Sequence, residues 1–540
     1  MKYLVCALTM ALGWAPHAGA MSDQALADIV RQRLAGDRTQ ACFAVAVIDG
    51  GVSRAVECAG KRRAWDADTA FEIGSVSKTM NGALLALLIE QGKLRLDAPL
   101  SDYLPEGTKV PSAGGVAITL QHLVTHTAGL PGLPPNFVPA RADNPYATLR
   151  PDDLLAGLAA TRLTATPGTQ WDYSNFGAML LSWVLTRVAE SSYEQLLQGS
   201  LLQPLGMRHS YIDQAPDGVS VAQGHLQTGA STSAWDLPDA LAGVGGVRAS
   251  LNDMVRYAQA QLQPGDDALG RALKRSQQPL SAIGKPMAMG WLLAPLDRRQ
   301  LLVHEGGTGG FSSFVAVDRE RGRAVVILSD TAMTALGGLG SLGLHLVDAR
   351  LPLGQPRTAA QPDPALLASL VGRYRLEGGL ALELRVRDGQ LELQAEGQAP
   401  VQMGYDSAGD FYPLHLDALL RPQRGAGGMR FVWSQGGAEQ WATRVDAQAV
   451  VQAPAGGNLA QYLGEYPLAP TFVMTVSEQA GRLYVQATGQ QALPLDPVSD
   501  DLYAIPRVGA ELRFERDAAG VVVALVLIQG GHEQRAPRRS

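Results

Sequence analysis

The pattern of apolar and polar positions along the chain changes character more than once. Two apolar, β-branched runs, Phe43 to Ile48 and Val52 to Val56, flank Asp49-Gly50-Gly51 and predict a β-hairpin centred on Gly50. The long stretch that follows is rich in Leu and Ala at helical spacing, as in Met80 to Gln91 and Ala178 to Ala189. Strand-like runs return at Gln300 to His304, Phe311 to Asp318 and Ala324 to Ser329. Strands at both ends of a helical middle predict one α+β domain over 21–351, in which the chain leaves a sheet, builds helices and comes back.

Leu353-Gly354-Gln355-Pro356 through Pro362-Asp363-Pro364 is rich in Pro and Ala and reads as a linker over 352–364. Beyond it, stretches such as Leu382-Glu383-Leu384-Arg385-Val386 alternate apolar and polar residues between Gly and Asp. This part is duplicated. Gly372-Arg373-Tyr374 recurs 92 residues on as Gly464-Glu465-Tyr466, and Gly389-Gln390-Leu391 recurs at the same offset as Gly481-Arg482-Leu483. Gln394-Ala395 and Gly397 repeat at that offset too, and Gln435-Gly436-Gly437 matches Gln529-Gly530-Gly531 with a slip of two. Two all-β meander units are therefore expected, over 365–448 and 458–538, each closing as a small barrel or sandwich that removes exposed edges. No catalytic constellation is visible in them.

Composition narrows the setting. A chain of 540 residues exceeds what one core usually serves. A net charge of -6 without a long Lys/Arg run argues against a nucleic-acid partner. The short basic end, Arg535 to Arg539, reads as a solvated tail. Lys2, the apolar run Leu4 to Trp14 and Ala18-Gly19-Ala20 read as a signal peptide over 1–20, too short to span a bilayer core of about 30 Å. No later stretch reaches about 18 uninterrupted apolar residues. The expectation is a periplasmic or secreted protein with no transmembrane segment after cleavage. Cys6 leaves with the signal, and Cys42 and Cys58 fall opposite each other across the hairpin. They form either a cross-strand disulfide or two buried thiols, structural in both cases.

Three short segments carry chemistry: Ser75-Val76-Ser77-Lys78, Tyr173-Ser174-Asn175 and His304-Glu305-Gly306. A serine hydroxyl needs a proton acceptor within about 3 Å. On a helix, positions i and i+3 share a face, so the Lys78 amine can reach back to Ser75. Phe71 to Gly74 reads as a strand-to-turn segment and Thr79 to Leu88 as an apolar helix. Ser75 is therefore expected at a helix N-terminus, where its own N–H is ready to receive developing negative charge. His122 and His126 stand four apart, a spacing that can bind a metal, but the Glu of a zinc protease is missing, and neither metal nor cofactor is expected. The run Gly306 to Gly310 lacks the ending of a phosphate loop and opens no helix; it is read as a place where substrate approaches backbone.

Taken in order, Phe71 to Lys78, Gly92 to Asp97, Ile118 to Pro131, Pro167-Gly168-Thr169, Tyr173 to Asn175, Pro204 to Met207 and His304 to Phe311 resemble the serine β-lactamase and penicillin-binding hydrolase family. The resemblance lies with its class C and esterase-like branch and covers about residues 25–345. It implies a β-lactamase-like antiparallel sheet with a helical region and an acyl-enzyme on Ser75. Lys78 and Tyr173 would share the acid and base work, each kept near a useful pKa by the other's charge. Asn175 would hydrogen-bond the Lys78 ammonium and a substrate amide, and the N–H of Gly307 would be the second oxyanion donor. Gly245-Gly246-Val247 and Gly290-Trp291 would pack near the site.

The third segment departs from the best-known members, which carry Lys-Thr-Gly there. A lysine attracts a substrate carboxylate, whereas a histidine is mostly neutral at pH 7. Glu305 would oppose an anionic substrate if it pointed inward, and the bland alternative has it facing solvent. The expected partner is a small-molecule or peptidoglycan-derived substrate. The leading reaction is hydrolysis of a β-lactam or D-alanyl-peptide amide. A carboxylesterase on small esters and a penicillin-binding sensor that acylates without turnover are the alternatives.

Overall fold

The computed structural model describes residues 21–539 apart from 61–64, 140, 142, 416–417, 426–427, 436–437, 446–458, 470–471, 480–481, 489–491, 500, 506–509, 518 and 530–531. The signal-peptide reading of 1–20 and the repeat glycines Gly436, Gly437, Gly481, Gly489, Gly530 and Gly531 lie outside the described residues. The chain divides into two compact units, one ending at Thr358 and the other beginning at Ala359. Among the described residues no helix is long and apolar enough to cross a membrane.

The first unit is built on six antiparallel strands: β1 (Cys42–Asp49), β2 (Val52–Cys58), β3 (Leu292–Leu296), β4 (Arg299–Gly307), β5 (Ser312–Asp318) and β6 (Arg323–Ser329). Their order across the sheet is β2-β1-β6-β5-β4-β3, so the first hairpin and the late strands do meet. Cys42 and Cys58 are direct partners in the β1–β2 register and are joined by a disulfide.

The near-continuous apolar runs of β1, β5 and β6 follow from burial of both sheet faces. Ala44, Ala46, Val315, Val326 and Leu328 enter the core shared with the large helical layer. The alternate residues Phe43, Val45, Phe314, Val325 and Ile327 enter a second core with Leu26, Val30 and Leu34 of α1 (Asp23–Leu34). The helical layer includes α2 (Ser77–Glu90), α3 (Asn175–Ala189) and α4 (Leu251–Leu262). Every residue of α2 from Ser77 to Leu88 is buried, which is why its sequence shows little polar face. Glycines permit this density: a Cβ at Gly82 would lie 2.2 Å from the Met289 carbonyl oxygen, and one at Gly290 would lie 2.2 Å from that of Lys78. A last helix, α5 (Gly340–Val347), packs under the opposite face of the sheet.

In the second unit eight strands, from β7 (Gly372–Leu376) to β14 (Ala438–Val445), form a closed antiparallel barrel, with β14 returning to pair with β7. The later repeat forms two sheets over a common core. One has four strands from Gly464–Ala469 to Leu493–Pro494, the other five from Asp496–Ser499 to His532–Pro537. Pro494 and Pro497 flank the division and have no N–H to give to a ladder.

The duplication is visible in bonding as well as in letters. The Tyr374 hydroxyl donates to the Leu370 carbonyl at 2.9 Å, and the Tyr466 hydroxyl to the Tyr462 carbonyl at 2.8 Å, each four residues back. Arg444 lies against Gly372 and donates to the Val371 carbonyl; Arg538 does the same at Gly464 and the Leu463 carbonyl. These arginines share the register slip of two already seen at Gln435 and Gln529. The basic end is thus no solvated tail. Arg535 lies in the final strand opposite Val526 and pairs with Glu515 at 2.7 Å, and Arg539 pairs with Glu465 at 2.9 Å, because neighbouring strands present acidic partners.

Candidate active site

Ser75 sits in a single tight turn, Gly74–Val76, that leads into α2. It is partly exposed, while Val76, Ser77 and Lys78 behind it are buried. The Lys78 ammonium is 2.9 Å from Ser75 Oγ and donates to the Val244 carbonyl at 2.6 Å. Burial pulls its pKa down to about 7. The Tyr173 ring centre lies 5.1 Å from the same nitrogen, and burial raises the pKa of its hydroxyl against the smaller, opposite effect of Ser75.

The cause of these shifts differs from the expected one. Burial, not the partner's charge, lowers Lys78, and burial pushes the Tyr173 phenol well above its ordinary range. A pocket walled off from water disfavours both charged forms, so the amine moves toward neutral pH and the phenol away from it. Asn175 is a second correction. Its Oδ1 is buried without a hydrogen-bond partner, because the Lys78 ammonium is directed to Val244 instead.

Tyr173 is held by the segment 126–132. His126 adopts a left-handed conformation, φ 56°, and its ring packs on Tyr173 with centroids 4.4 Å apart. Its Nδ1 accepts from the Ser174 N–H at 3.2 Å, and its carbonyl accepts from the Asp172 N–H at 2.9 Å. Ser174 Oγ donates to the Pro131 carbonyl at 2.7 Å and accepts from the Gly177 N–H at 3.0 Å, which caps α3. His122 is likewise engaged with backbone: its Nδ1 accepts from the Thr119 N–H at 3.2 Å. Among the described residues no group of His, Cys, Asp and Glu is placed to hold a metal ion. His126 is a site residue that residue type alone does not reveal, since its spacing to His122 fits a metal pair equally well. Its place inside the Ile118 to Pro131 segment was the available signal.

His304, on β4 opposite Val315, is 2% exposed. Its Nδ1 donates to the Glu305 carbonyl at 2.7 Å, which leaves Nε2 as a buried acceptor without a partner. Burial and the charge of Lys78 hold its pKa at about 3, so the ring is neutral. Glu305 points neither into the pocket nor to open solvent. It leaves the other face of the strand, where its carboxylate lies against Gly338 and Gly340 at the start of α5. Burial pushes it up to about 7.

The end of β4 lies directly against the turn that carries Ser75. A Cβ at Gly306 would be 2.1 Å from the Ile73 carbonyl oxygen, and one at Gly74 would be 2.7 Å from the Gly307 nitrogen. Gly74 also holds φ 48°. Only glycine allows these two backbones to approach so closely. The result puts the Gly307 backbone beside that of Ser75, where two N–H groups can converge on one oxygen. Gly245 and Val247 close the back of this turn, with Val247 accepting from the Ile73 N–H at 3.1 Å.

Aromatic side chains pack beside Tyr173 and further along the helical layer. Trp171 lies 6.4 Å from Tyr173, while Phe137, Tyr146 and Trp235 form a run with centroids 5.4 and 5.3 Å apart. The indole nitrogens of Trp171 and Trp235 are buried without partners, like Asn175 Oδ1 and His304 Nε2. An amine poised between its charged and neutral forms, touching a serine hydroxyl, can remove the hydroxyl proton at neutral pH.

A family model described as Beta-lactamase matches residues 26–336, and one described as Domain of unknown function (DUF3471) matches residues 448–536. The chain is 30% identical over 317 residues to the D-alanyl-D-alanine-carboxypeptidase/endopeptidase AmpH of Escherichia coli (strain K12), spanning 54% of this chain and 80% of that protein. It is 29% identical over 303 residues to a Beta-lactamase of Pseudomonas fluorescens, spanning 49% and 80%. The solved structure of a β-lactamase/D-alanine carboxypeptidase from Yersinia pestis complexed with citrate aligns with 25% identity and a TM-score of 0.48, over 56% of this chain and 92% of that one.

Proposed function

The chain belongs to the Beta-lactamase family, and we propose that it is a serine hydrolase that works through an acyl-enzyme on Ser75. The observation that carries this reading is the 2.9 Å approach of Lys78 Nζ to Ser75 Oγ inside a pocket that brings the amine to about pH 7. In its neutral form Lys78 keeps one N–H on the Val244 carbonyl and turns its lone pair to the serine hydroxyl. Ser75 Oγ then attacks the substrate carbonyl, and the developing oxyanion is received by the N–H groups of Ser75 and Gly307. Tyr173, kept protonated by burial, gives its proton to the leaving group and is recharged from Lys78. Water releases the acyl group by the reverse sequence of proton transfers.

The substrate class is an amide of the β-lactam or D-alanyl-peptide type, the chemistry in the names of the relatives above. A carboxylesterase on small esters is the second reading, favoured by the neutral, buried His304. The protein is exported: the sequence of 1–20 reads as a signal peptide, and the Cys42–Cys58 disulfide fits an oxidising compartment.

Intact-protein mass spectrometry over time, with a penicillin, a D-alanyl-D-alanine peptide and a short-chain ester, tests this. A transient adduct on Ser75 with penicillin or peptide is expected. An adduct with the ester alone selects the esterase, a stable penicillin adduct without turnover selects a sensor, and no adduct with any of them overturns the acyl-enzyme.

A further inference from the structure

With His304 buried and neutral, the third segment brings no cation to a substrate carboxylate. A cation is held at the rim of the same pocket by a different segment. Lys285 belongs to the turn Ile283-Gly284-Lys285-Pro286, which precedes β3. Gly284 has φ 62° and packs so closely that a Cβ there would lie 2.6 Å from Trp171 Cβ, and Pro286 restricts the backbone on the other side.

This turn sets the Lys285 ammonium over the Trp171 ring, 4.8 Å from its centre. Trp171 in turn packs near Tyr173, at 6.4 Å, and His126, at 6.3 Å. An indole face attracts the ammonium and narrows the volume it samples, yet leaves its N–H groups free. Lys285 is exposed and, among the described residues, has no carboxylate within ion-pair distance. Glu305 feels its charge, but its carboxylate lies against Gly338 and Gly340 on the other face of β4. A positive charge positioned by a close-packed turn, stacked on an indole beside Tyr173 and left unpaired, is suited to an anion that arrives with the substrate.

We propose that Lys285 reads a free carboxylate on the substrate and makes the enzyme prefer acids over their uncharged esters. This rests on the acyl-enzyme reading of the same pocket and adds the charge of the substrate to it. The test is a matched pair, a chromogenic cephalosporin with its free ring carboxylate and the methyl ester of that carboxylate. The ratio of kcat/KM for acid over ester is measured in wild type, Lys285→Gln and Lys285→Arg, with thermal melting as a control for folding.

Lys285→Gln is expected to lower the acid-to-ester ratio by roughly fivefold, a size set by an ion pair at a solvated rim. Lys285→Arg is expected to keep the preference. Raising salt from about 50 to about 500 mM should bring the wild-type ratio toward that of Lys285→Gln. An equal ratio in wild type and Lys285→Gln overturns the role of Lys285, as does a wild-type enzyme that turns over both compounds without preference; either result leaves the serine hydrolase standing. A protein that forms no Ser75 adduct with either compound overturns both.

Discussion

In the N-terminal unit Asn175 Oδ1, His304 Nε2 and the indole nitrogens of Trp171 and Trp235 are buried without partners; among the described residues of the C-terminal unit no buried side-chain polar atom is left so. The C-terminal unit completes its bonds internally. Tyr374 and Tyr466 each reach a carbonyl four residues back, and Arg516 makes an ion pair with Asp501 at 2.7 Å and stacks on Tyr462. Leaving a buried polar group unpaired costs about 1–3 kcal/mol, so such groups persist only where something else requires them. Such atoms occur in several places of the N-terminal unit, Arg33, Gln261 and Arg299 among them, and those of Asn175, His304 and Trp171 stand apart because they belong to the segments around Ser75, beside a buried lysine and two neutral imidazoles.

The contrast can be broken most directly at Ser75. Ser75→Ala is expected to abolish both adduct formation and turnover, a loss of about 10⁴-fold or more read by mass spectrometry and initial rates. Retained activity would remove the chemistry from this pocket. Next in size is Gly306→Ala, whose new Cβ would lie 2.1 Å from the Ile73 carbonyl oxygen and 2.4 Å from Ser313 Oγ. It should lower kcat/KM by about 100-fold and stability by about 1–3 kcal/mol, since backbone must shift. Wild-type behaviour of this variant would mean that β4 and the Ser75 turn are not packed as described.

Protonation supplies a finer test. If Lys78 is the base, kcat/KM should fall about tenfold per pH unit below its pKa of about 7 and level off above it. A profile flat from pH 5 to 8 would exclude Lys78 from that role. The same group links to stability with a definite sign. Its folded pKa lies below its ordinary value of 10.5, so between about 7 and 10.5 the unfolded chain binds more protons and stability from this site rises with pH. Below pH 7 the full cost is present. Lys78→Met should therefore be inactive yet more stable at pH 6, by something of order 1–3 kcal/mol, with the gain fading toward pH 10. Unfolding in denaturant at the two pH values checks it, and a pH-independent difference would contradict it.

The smallest effect belongs to the other unit. Tyr466→Phe removes the 2.8 Å bond to the Tyr462 carbonyl and should cost about 1 kcal/mol in unfolding of the C-terminal unit. Its kcat/KM should stay within about twofold of wild type. A tenfold change would show that the C-terminal unit acts on turnover at Ser75.

How much of this was legible depends on the range of each interaction. The Ser75–Lys78 contact spans one helical turn, and helical spacing with a preceding turn was enough to anticipate it. The Cys42–Cys58 pairing follows from period-two alternation about one hairpin, and the duplication is readable as repeated Gly-x-Tyr, whereas the arginines lying against those glycines come from the far ends of the repeats. The basic end was misread because Glu465 and Glu515, which pair with it, come from other strands. The expected hydrogen bond from Lys78 to Asn175 is not formed because the Val244 carbonyl, which accepts from the Lys78 ammonium at 2.6 Å, lies far along the chain.

The sequence by itself determined the elements, their order, the duplication and the residue types of the three segments, because periodicity and turn chemistry act over a few neighbouring positions. Only the tertiary structure decided the electrostatics. The pKa values of Lys78, Tyr173 and His304 are set by burial among α2, α3 and β4, and the setting of Lys285 on Trp171 joins segments far apart in sequence. Exclusion of water from a pocket is a sum over many distant contacts, and no local pattern carries it.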